Sequence, residues 1–467
     1  MTDVKRREKH GSSDWNVMIA DPPDSAMGAE VDRFHHPTDK RVPPRMFPAH
    51  LVDYIGKMIS LTRLQRTILL VCWLGWVFDV MDSALFNFAK VPMMTEMLGP
   101  ARYKLEGPQI EGQVQTWFLI GWAAGGLLFG LLADRWGRVR TLVVTIVMYC
   151  LLTGLTALCR TPEQVMVTRF LTALGIGGEW AAGAALVAES LPNEWRARAS
   201  SLLQTAAAIG PVLAALANLG LAGVSWRTLF LVGVVPALLC VLIRSRVTEP
   251  ERSGMAPSGN AFSMLHELFT TPNLRRNAMV AMLLGVVGVT GAGIIPFWIP
   301  NLVREASLSL SEVIVRTRTS NATMAIHIGT LLGVFCFPAL AERIGRRRAF
   351  GLFFVLSPLA TALALYGGVD YARLLVLLPI STFFSIGVSA GFVLYFPELF
   401  PSRLRATGSG LGYNVGRIFS APIPWITGVA IAALGGSVVA GVLIAASVYI
   451  VGLATLPFAP ETKELPA

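Results

Sequence analysis

The stretch Gly130-Leu131-Leu132-Ala133-Asp134-Arg135-Trp136-Gly137-Arg138 decides the fold, because it joins two long apolar runs through a short charged turn. A shorter form of it, Glu342-Arg343-Ile344-Gly345-Arg346, joins two further apolar runs in the second half of the chain. Two more pairs of segments repeat at nearly the same offset: Glu189 to Ala197 with Glu398 to Ala406, and Glu249 to Arg252 with Pro460 to Lys463. Three matches at one offset indicate an internal duplication, as in membrane proteins built from two repeated helical bundles.

The composition predicts a protein that lies within a bilayer. Of 467 residues, 54% are hydrophobic and only 15% are charged, whereas soluble domains carry about 25% charge. The apolar runs are long enough to cross a bilayer, which takes about 18 residues or more. They fall near 67–94, 112–133, 141–159, 162–189, 199–222, 226–245, 278–302, 319–341, 349–367, 372–398, 406–433 and 437–458.

These runs predict an all-α membrane protein with twelve transmembrane helices in two pseudo-symmetric six-helix bundles. The predicted parts are a polar N-terminal extension at 1–66, a first bundle at 67–245, a central loop at 246–277, a second bundle at 278–458 and a tail at 459–467. Arginines concentrate in alternate connections, which places both termini and the central loop in the cytoplasm and the chain in the cell membrane. The net charge of +10 is therefore explained by topology, and no nucleic-acid partner is expected.

The quoted turn resembles the loop between helices 2 and 3 of the major facilitator superfamily, over about residues 60–465. Within that family the chain is similar to the sialate:proton and aromatic-acid:proton symporter groups. The residues that carry this closer resemblance are Gly75-Trp76-Val77-Phe78-Asp79-Val80-Met81-Asp82 in helix 1 and Arg169 to Trp180 in helix 4. Helix 5 has Ala206 to Pro211, a partial match to a glycine-rich antiporter motif, which keeps export by antiport as an alternative.

The resemblance implies a latch between the bundles, in which Asp134 and Arg138 act with helix 11 and with Glu189 at the end of helix 4. The full set of predicted gating residues is Asp134, Arg135, Gly137, Arg138, Glu189, Arg196, Glu342, Arg343, Arg346, Glu398 and Arg405. The alternative is structural, because such charges also cap helix ends and orient a membrane protein.

Charged side chains inside the predicted helices are the main candidates for proton coupling, because a charge in the membrane is costly and usually functional. The rise of a helix puts Asp82 and Arg169 at similar depth, about 20 Å from the inner edge. Asp79 shares a helix face with Asp82. Two acids beside one guanidinium leave one acid free to take up a proton. We expect Asp82 to carry it, then Asp79, with Glu179 on an exit path; the alternative is a static ion pair.

Arg417, in predicted helix 11, is the main candidate for substrate binding. No acid occurs in the predicted spans of helices 7, 8, 9 or 11, and a guanidinium suits a carboxylate. A structural role, or an ion pair with an acid of helix 1, are the alternatives. Further candidates share the predicted cavity with Arg417: Asn414, Tyr413, His327, Gln204, Trp298 and Trp180.

These features predict a secondary transporter that moves a small organic anion by proton symport and functions as a monomer. Candidate substrates are sialate-like sugars, aromatic acids and monocarboxylates. A proton-driven exporter or a sugar-type facilitator of the same family are the alternatives. An enzyme is not expected, because the chain has no nucleotide-binding loop and no hydrolase or metalloprotease motif. Neither a cofactor nor a metal ion is expected.

Overall fold

The computed structural model describes residues 61–192, 202–239, 261–401 and 403–463, with isolated positions 195, 199, 243 and 247. Within these ranges a few side chains, including that of Asp134, are not described. Most of the predicted extension at 1–66 and the predicted gating residue Arg196 lie outside the described residues. The part of the chain that is described is helical and has no strand.

Eleven helices in the described residues are long and apolar enough to cross a membrane. They correspond to spans 1 to 5 and 7 to 12, numbered in chain order. In the first half, spans 1 to 5 contain the helices Arg63–Leu98, Pro100–Trp136, Arg138–Thr156, Pro162–Ser190 and Ala206–Gly220. Span 6 begins with the helix Arg227–Val232 and is described as an apolar helix over Arg227–Leu239, and most of its predicted second half lies outside the described residues.

The second half repeats this order. Its unbroken spans 7, 8 and 9 are Pro272–Glu305, Glu312–Ile344 and Arg346–Leu365. Spans 10, 11 and 12 each consist of two helices, namely Tyr371–Ser385 with Val388–Glu398, Arg405–Ser420 with Ile423–Ala433, and Val438–Ala446 with Val448–Thr455. A single 3₁₀ turn, Leu456–Phe458, follows span 12.

The predicted central loop at 246–277 is only partly a loop. A short connector helix, Ala261–Thr270, lies inside it, and span 7 begins at Pro272, ahead of the predicted start at 278. The sequence analysis did not predict the connector helix or the early start of span 7, because the segment 261–277 mixes charged and apolar residues, as an amphipathic helix at a bilayer surface does.

Local sequence explains how the long helices begin and end. Thr62 and Gln65 form a capping box at the start of span 1, and Thr161 and Gln164 form another at the start of span 4; both satisfy free backbone N–H groups. The two repeated turns end their helices on Gly137 and Gly345, which have φ values of 108° and 94°. Glycine adopts such angles without steric cost, so the duplicated motif produces the same turn twice.

Small residues let the spans approach closely inside each bundle, as in many membrane proteins. A Cβ atom on Gly125 of span 2 would lie 2.0 Å from the carbonyl oxygen of Leu174 in span 4. In the second bundle, a Cβ atom on Gly285 of span 7 would lie 2.3 Å from the carbonyl oxygen of Gly412 in span 11. The corresponding helix pairs are among the most extensively packed in each half.

The two bundles meet through spans 1 and 7, 5 and 8, and 2 and 11. We call the face that carries Arg138 and Arg346 the arginine-rich face, and the other the opposite face. The apolar core near the opposite face is shared, because Met94 and Val114 of the first bundle pack in one cluster with Phe297 and Ile431 of the second. A cluster nearer the arginine-rich face, from Leu268 to Ala459, belongs to the second bundle and the connector helix.

Candidate functional site

Asp82 and Arg169 form a buried ion pair inside the first bundle. The distance between Arg169 Nη1 and Asp82 Oδ2 is 2.7 Å, and the side chains are 1% and 2% exposed. The hydroxyl of Thr153 donates to the other oxygen of Asp82 at 2.6 Å. The guanidinium also faces the rings of Phe86 and Phe118, at 5.2 and 4.5 Å. Both oxygens of Asp82 therefore have partners, which matches the static ion pair considered from the sequence.

Asp79 lies one turn away from Asp82 in span 1 and has a different environment. It lines a narrow cavity in the first bundle with Glu179 and Trp180. The carboxyl group of Glu179 lies near that of Asp79, and the hydroxyl of Tyr149 lies near the carboxyl group of Glu179. Neither oxygen of Asp79 accepts a hydrogen bond from a described donor. The structure thus places Glu179, which was expected on an exit path, in the same cavity as Asp79.

Gly75 makes room for this carboxyl pair. A Cβ atom at Gly75 would lie 1.8 Å from Glu179 Oε1, so any larger residue would expel the acid from its place. The ring of Trp180 packs edge-to-face on Trp76 at 6.4 Å between centroids and covers the cavity. Trp180, predicted to bind substrate, therefore belongs to the carboxyl cavity.

Arg417 lies at the boundary between the bundles. Its guanidinium carbon is 4.7 Å from the ring centroid of Trp122, a residue of span 2 in the first bundle. The side chain is half-buried, and no described carboxylate forms an ion pair with it. Of its predicted neighbours, Tyr413 packs on Phe396, and Asn414 donates to the carbonyl oxygen of Gly410 at 3.0 Å. Arg417 therefore keeps hydrogen-bonding capacity for a ligand.

The other predicted substrate residues are spread out. His327 of span 8 is buried, and neither ring nitrogen has a partner among the described residues. Gln204 is half-buried at the start of span 5. Trp298 is 1% exposed and lines a cavity of about 70 Å³ between the bundles. Gln115, Phe297, Thr290 and Ser420 line the same cavity.

A buried polar cluster beside this cavity was missed from the sequence. Lys90 of span 1 forms a 2.7 Å ion pair with Glu111 of span 2, and both side chains are 0% exposed. Lys90 also donates to Asn301 Oδ1 of span 7 at 2.6 Å. Asn301 in turn donates to Glu111 at 3.0 Å, and the hydroxyl of Tyr103 donates to Glu111 at 2.7 Å. A lysine inside a predicted span was the signal that should have revealed the cluster.

Two described ion pairs of the arginine-rich face each join spans of one bundle. Arg138 binds Glu189 at 2.9 Å in the first bundle, and Arg346 binds Glu398 at 2.9 Å in the second. The resemblance implied that Arg138 acts with Glu189, and this pair is present; like Arg346 with Glu398, it ties the start of one span to the end of the next within one bundle. The side chain of Asp134 and all of Arg196 lie outside the described residues.

The remaining predicted gating residues lie at the same face. Glu342, Arg343 and Arg135 are exposed, and Arg405 donates to the carbonyl oxygen of Phe400 at 3.4 Å. Glu461 of the tail accepts from the backbone N–H groups of Arg346 and Arg347 at 2.8 and 3.1 Å. Its partial burial opposes ionisation, but these donors prevail and hold the pKa of Glu461 below its usual value.

The fold and these sites define a class: a helical membrane carrier of two repeated bundles, with buried charges in one bundle and a cation at the interface between them. The model of the Major Facilitator Superfamily matches residues 72–424. The chain belongs to this superfamily and is a membrane transporter rather than an enzyme.

Individual relatives agree with this assignment. A putative metabolite transport protein of Haemophilus influenzae is 30% identical over 83% of this chain and 94% of its own length. A probable 4-methylmuconolactone transporter of Cupriavidus pinatubonensis is 30% identical over 76% of this chain and 82% of its own. The crystal structure of a D-xylose-proton symporter has a TM-score of 0.68 and 19% identity, and the match covers 85% of this chain and 99% of that one.

Proposed function

We propose that this protein moves a small organic anion together with protons, by alternately opening the space between its two bundles to either side of the cell membrane. The observation that carries this proposal is the buried pair of carboxyl groups, Asp79 and Glu179, which lines a cavity that has no cationic side chain among its described lining residues. The metabolite transporters among the relatives support a small organic substrate.

Electrostatics favours this pair as the proton-binding site. Two buried carboxylates side by side repel each other and lose their hydration, so the pair is most stable when it holds one proton between its two groups. Asp82 differs because Arg169 and Thr153 satisfy its charge. We therefore place the transported proton on Asp79 and Glu179, ahead of Asp82, which was the first choice from the sequence.

Arg417 is the proposed site for the substrate's carboxylate. Its guanidinium has no described acid partner, and it stacks on Trp122 of the other bundle. An anion bound there would contact both bundles, so its affinity would change as the bundles move. A ligand shifts a conformational equilibrium through such a difference in affinity between the two conformations. We place the arginine-rich face in the cytoplasm, because basic residues favour that side.

Uptake by purified protein in proteoliposomes tests the proposal. A thermal-shift screen of benzoate, nicotinate, lactate and N-acetylneuraminate selects the probe, whose labelled form is then followed under an imposed proton gradient. Accumulation should require an acidic outer solution and should disappear when an uncoupler is added. Uptake of the selected probe that is equally fast without the gradient would overturn proton coupling.

Two substitutions separate the carboxyl pair from the ion pair. Asp79→Asn should abolish accumulation but leave exchange of labelled for unlabelled probe within about threefold of the parent, because exchange needs no net proton movement. Asp82→Asn should instead leave Arg169 without its acid and lower stability by about 3–5 kcal/mol, measured as a lower melting temperature. If Asp79→Asn still accumulates the probe, the proton does not bind there.

A further inference from the structure

The cluster around Lys90 is a buried polar contact between the two bundles near the opposite face. Lys90 lies in span 1, and Glu111 and Tyr103 lie in span 2, all within the first bundle. Among the described residues, Asn301 is the one member of this polar cluster that comes from the second bundle. The amide of Asn301 both accepts from Lys90 and donates to Glu111, at 2.6 and 3.0 Å.

We propose that Lys90, Glu111 and Asn301 form the gate of the opposite face, and that the gate senses occupancy of the cavity beneath it through Phe297 and Trp298. This inference rests on the proposed transport function, because a gate has a role only in a carrier that opens on both sides.

The division of the cluster between the bundles suits a bond that must break and re-form. When the bundles separate, Lys90 and Glu111 stay together and become hydrated, and the neutral amide of Asn301 leaves alone. No charge is stranded in either bundle. A lone buried charge would make opening very costly, whereas separating a neutral amide from an ion pair loses only hydrogen bonds that water replaces.

Two aromatic rings connect the gate to the cavity. Lys90 Nζ is 3.9 Å from the centroid of the Phe297 ring and 4.5 Å from that of Trp298. Both rings also line the cavity of about 70 Å³, together with Thr290 and Gln115. A ligand in this cavity would touch the rings that hold the ammonium group, so its binding energy would depend on whether the gate is closed.

Accessibility of the cavity from the opposite face tests the gate. Thr290→Cys provides a single reporter thiol in a background whose five cysteines are replaced, and a membrane-impermeant maleimide labels it from each face of oriented vesicles. Asn301→Ala should raise the rate of labelling from the opposite face by about fivefold, because the loss of these hydrogen bonds increases the population of the open conformation by about that factor. Asn301→Gln keeps the amide and should restore part of the closure.

The matched control is Asn277→Ala. Asn277 also uses its amide in a partly buried hydrogen bond, but it donates to the carbonyl oxygen of Leu399 within the second bundle, near the arginine-rich face. Asn277→Ala should leave the rate of labelling from the opposite face unchanged. Equal labelling in the parent and in Asn301→Ala, or an equal rise in Asn277→Ala, would overturn the gate. Because labelling needs neither substrate nor proton gradient, a failure of the proposed symport in proteoliposomes is a separate result.

Sensing through the rings is tested by adding the probe selected in the thermal-shift screen. The probe also shields the reporter thiol at Thr290→Cys directly, and its effect on the labelling rate of the Trp298→Leu variant measures this shielding. With Trp298 present, a saturating concentration of the probe should change the labelling rate by more than this amount. If the probe changes labelling equally with and without the Trp298 ring, the gate does not sense the cavity through it.

Discussion

The two faces of this transporter hold their helices together in different ways. At the arginine-rich face, Arg138 with Glu189 and Arg346 with Glu398 each connect spans of one bundle. At the opposite face, hydrogen bonds run between bundles: Lys90 binds Asn301, and the amide of Asn218 donates to Ser320 at 2.9 Å. Arg316 of span 8 also donates to the carbonyl oxygen of Val224, beyond the end of span 5, at 2.7 Å.

This difference indicates what each face does in the structure. Contacts within a bundle survive when the bundles rotate as rigid bodies, whereas contacts between bundles must break. Among the described residues, the hydrogen bonds between bundles named above lie at the opposite face, and such contacts are those that a transport cycle has to exchange. The pairs of the arginine-rich face keep each bundle rigid while it moves.

The largest effect is expected where backbones of the two bundles touch. A Cβ atom on Gly112 of span 2 would lie 2.3 Å from the carbonyl oxygen of Pro424, and one on Gly428 of span 11 would lie 2.3 Å from that of Pro108. Gly112→Ala with Gly428→Ala should therefore prevent closure and lower transport at least about tenfold, since closely packed backbone cannot yield. The rate of uptake in proteoliposomes measures this loss of transport.

Gly220→Ala is the control for that pair, because a Cβ atom there meets nothing within 4 Å at the same end of the first bundle. It should transport at the parent rate. The double alanine variant should also label more quickly from the opposite face at Thr290→Cys. Full transport by the double variant would show that this face need not close so tightly.

Removing the cation of the gate should have the next largest effect. Lys90→Ala leaves Glu111 buried without its ion-pair partner, which should cost about 3–5 kcal/mol of stability and lower the melting temperature of the purified protein. Replacing both charges, as Lys90→Met with Glu111→Leu, should recover most of this loss, because no lone charge remains. A double variant as unstable as Lys90→Ala would mean that packing rather than charge holds the site.

The pairs of the arginine-rich face should matter much less for stability. Glu189 is 46% exposed and Glu398 is 27% exposed, and water screens such pairs, so Arg138→Ala or Arg346→Ala should cost about 0.5–1 kcal/mol. Neither should alter labelling at Thr290→Cys from the opposite face. If either raised that labelling as Asn301→Ala does, the distinction between the two faces would fail.

The contrast between the faces also explains what the sequence revealed. The apolar runs predicted the number of helices, and the duplicated turns at Gly137 and Gly345 predicted the two bundles and the repeated arginines of that face. The gate is not duplicated: at the offset that relates Gly137 to Gly345, Lys90 corresponds to Trp298 and Glu111 to Thr319. The cluster is assembled from three spans, and two of these spans each contribute one charged residue to it. Such a cluster leaves no repeated sequence pattern.

The buried acids show the same limit at closer range. Helix rise puts Asp82 and Arg169 at similar depth, helix spacing puts Asp79 on the face of Asp82, and in the structure Arg169 pairs with Asp82. Helix rise and spacing did not decide which acid Arg169 pairs with, because this depends on side-chain direction and on Thr153 in a third span. The group that shares the cavity of Asp79 is Glu179, whose carboxyl group occupies the space that Gly75 leaves.

The smallest expected effect concerns the connector helix at the arginine-rich face. Glu267 forms an ion pair with Arg403 that joins the connector helix to the turn before span 11. Hydrogen bonding from Arg403 holds the pKa of Glu267 below its usual value, so its contribution is complete above the unfolded pKa of about 4.3 and is lost as the pH falls through the folded pKa. The parent should melt slightly above Glu267→Gln at pH 7, and the difference should shrink as the pH falls below about 4.3 and on adding salt. A difference that stays constant over this range, with or without salt, would mean that the charge of Glu267 plays no part in docking the connector helix.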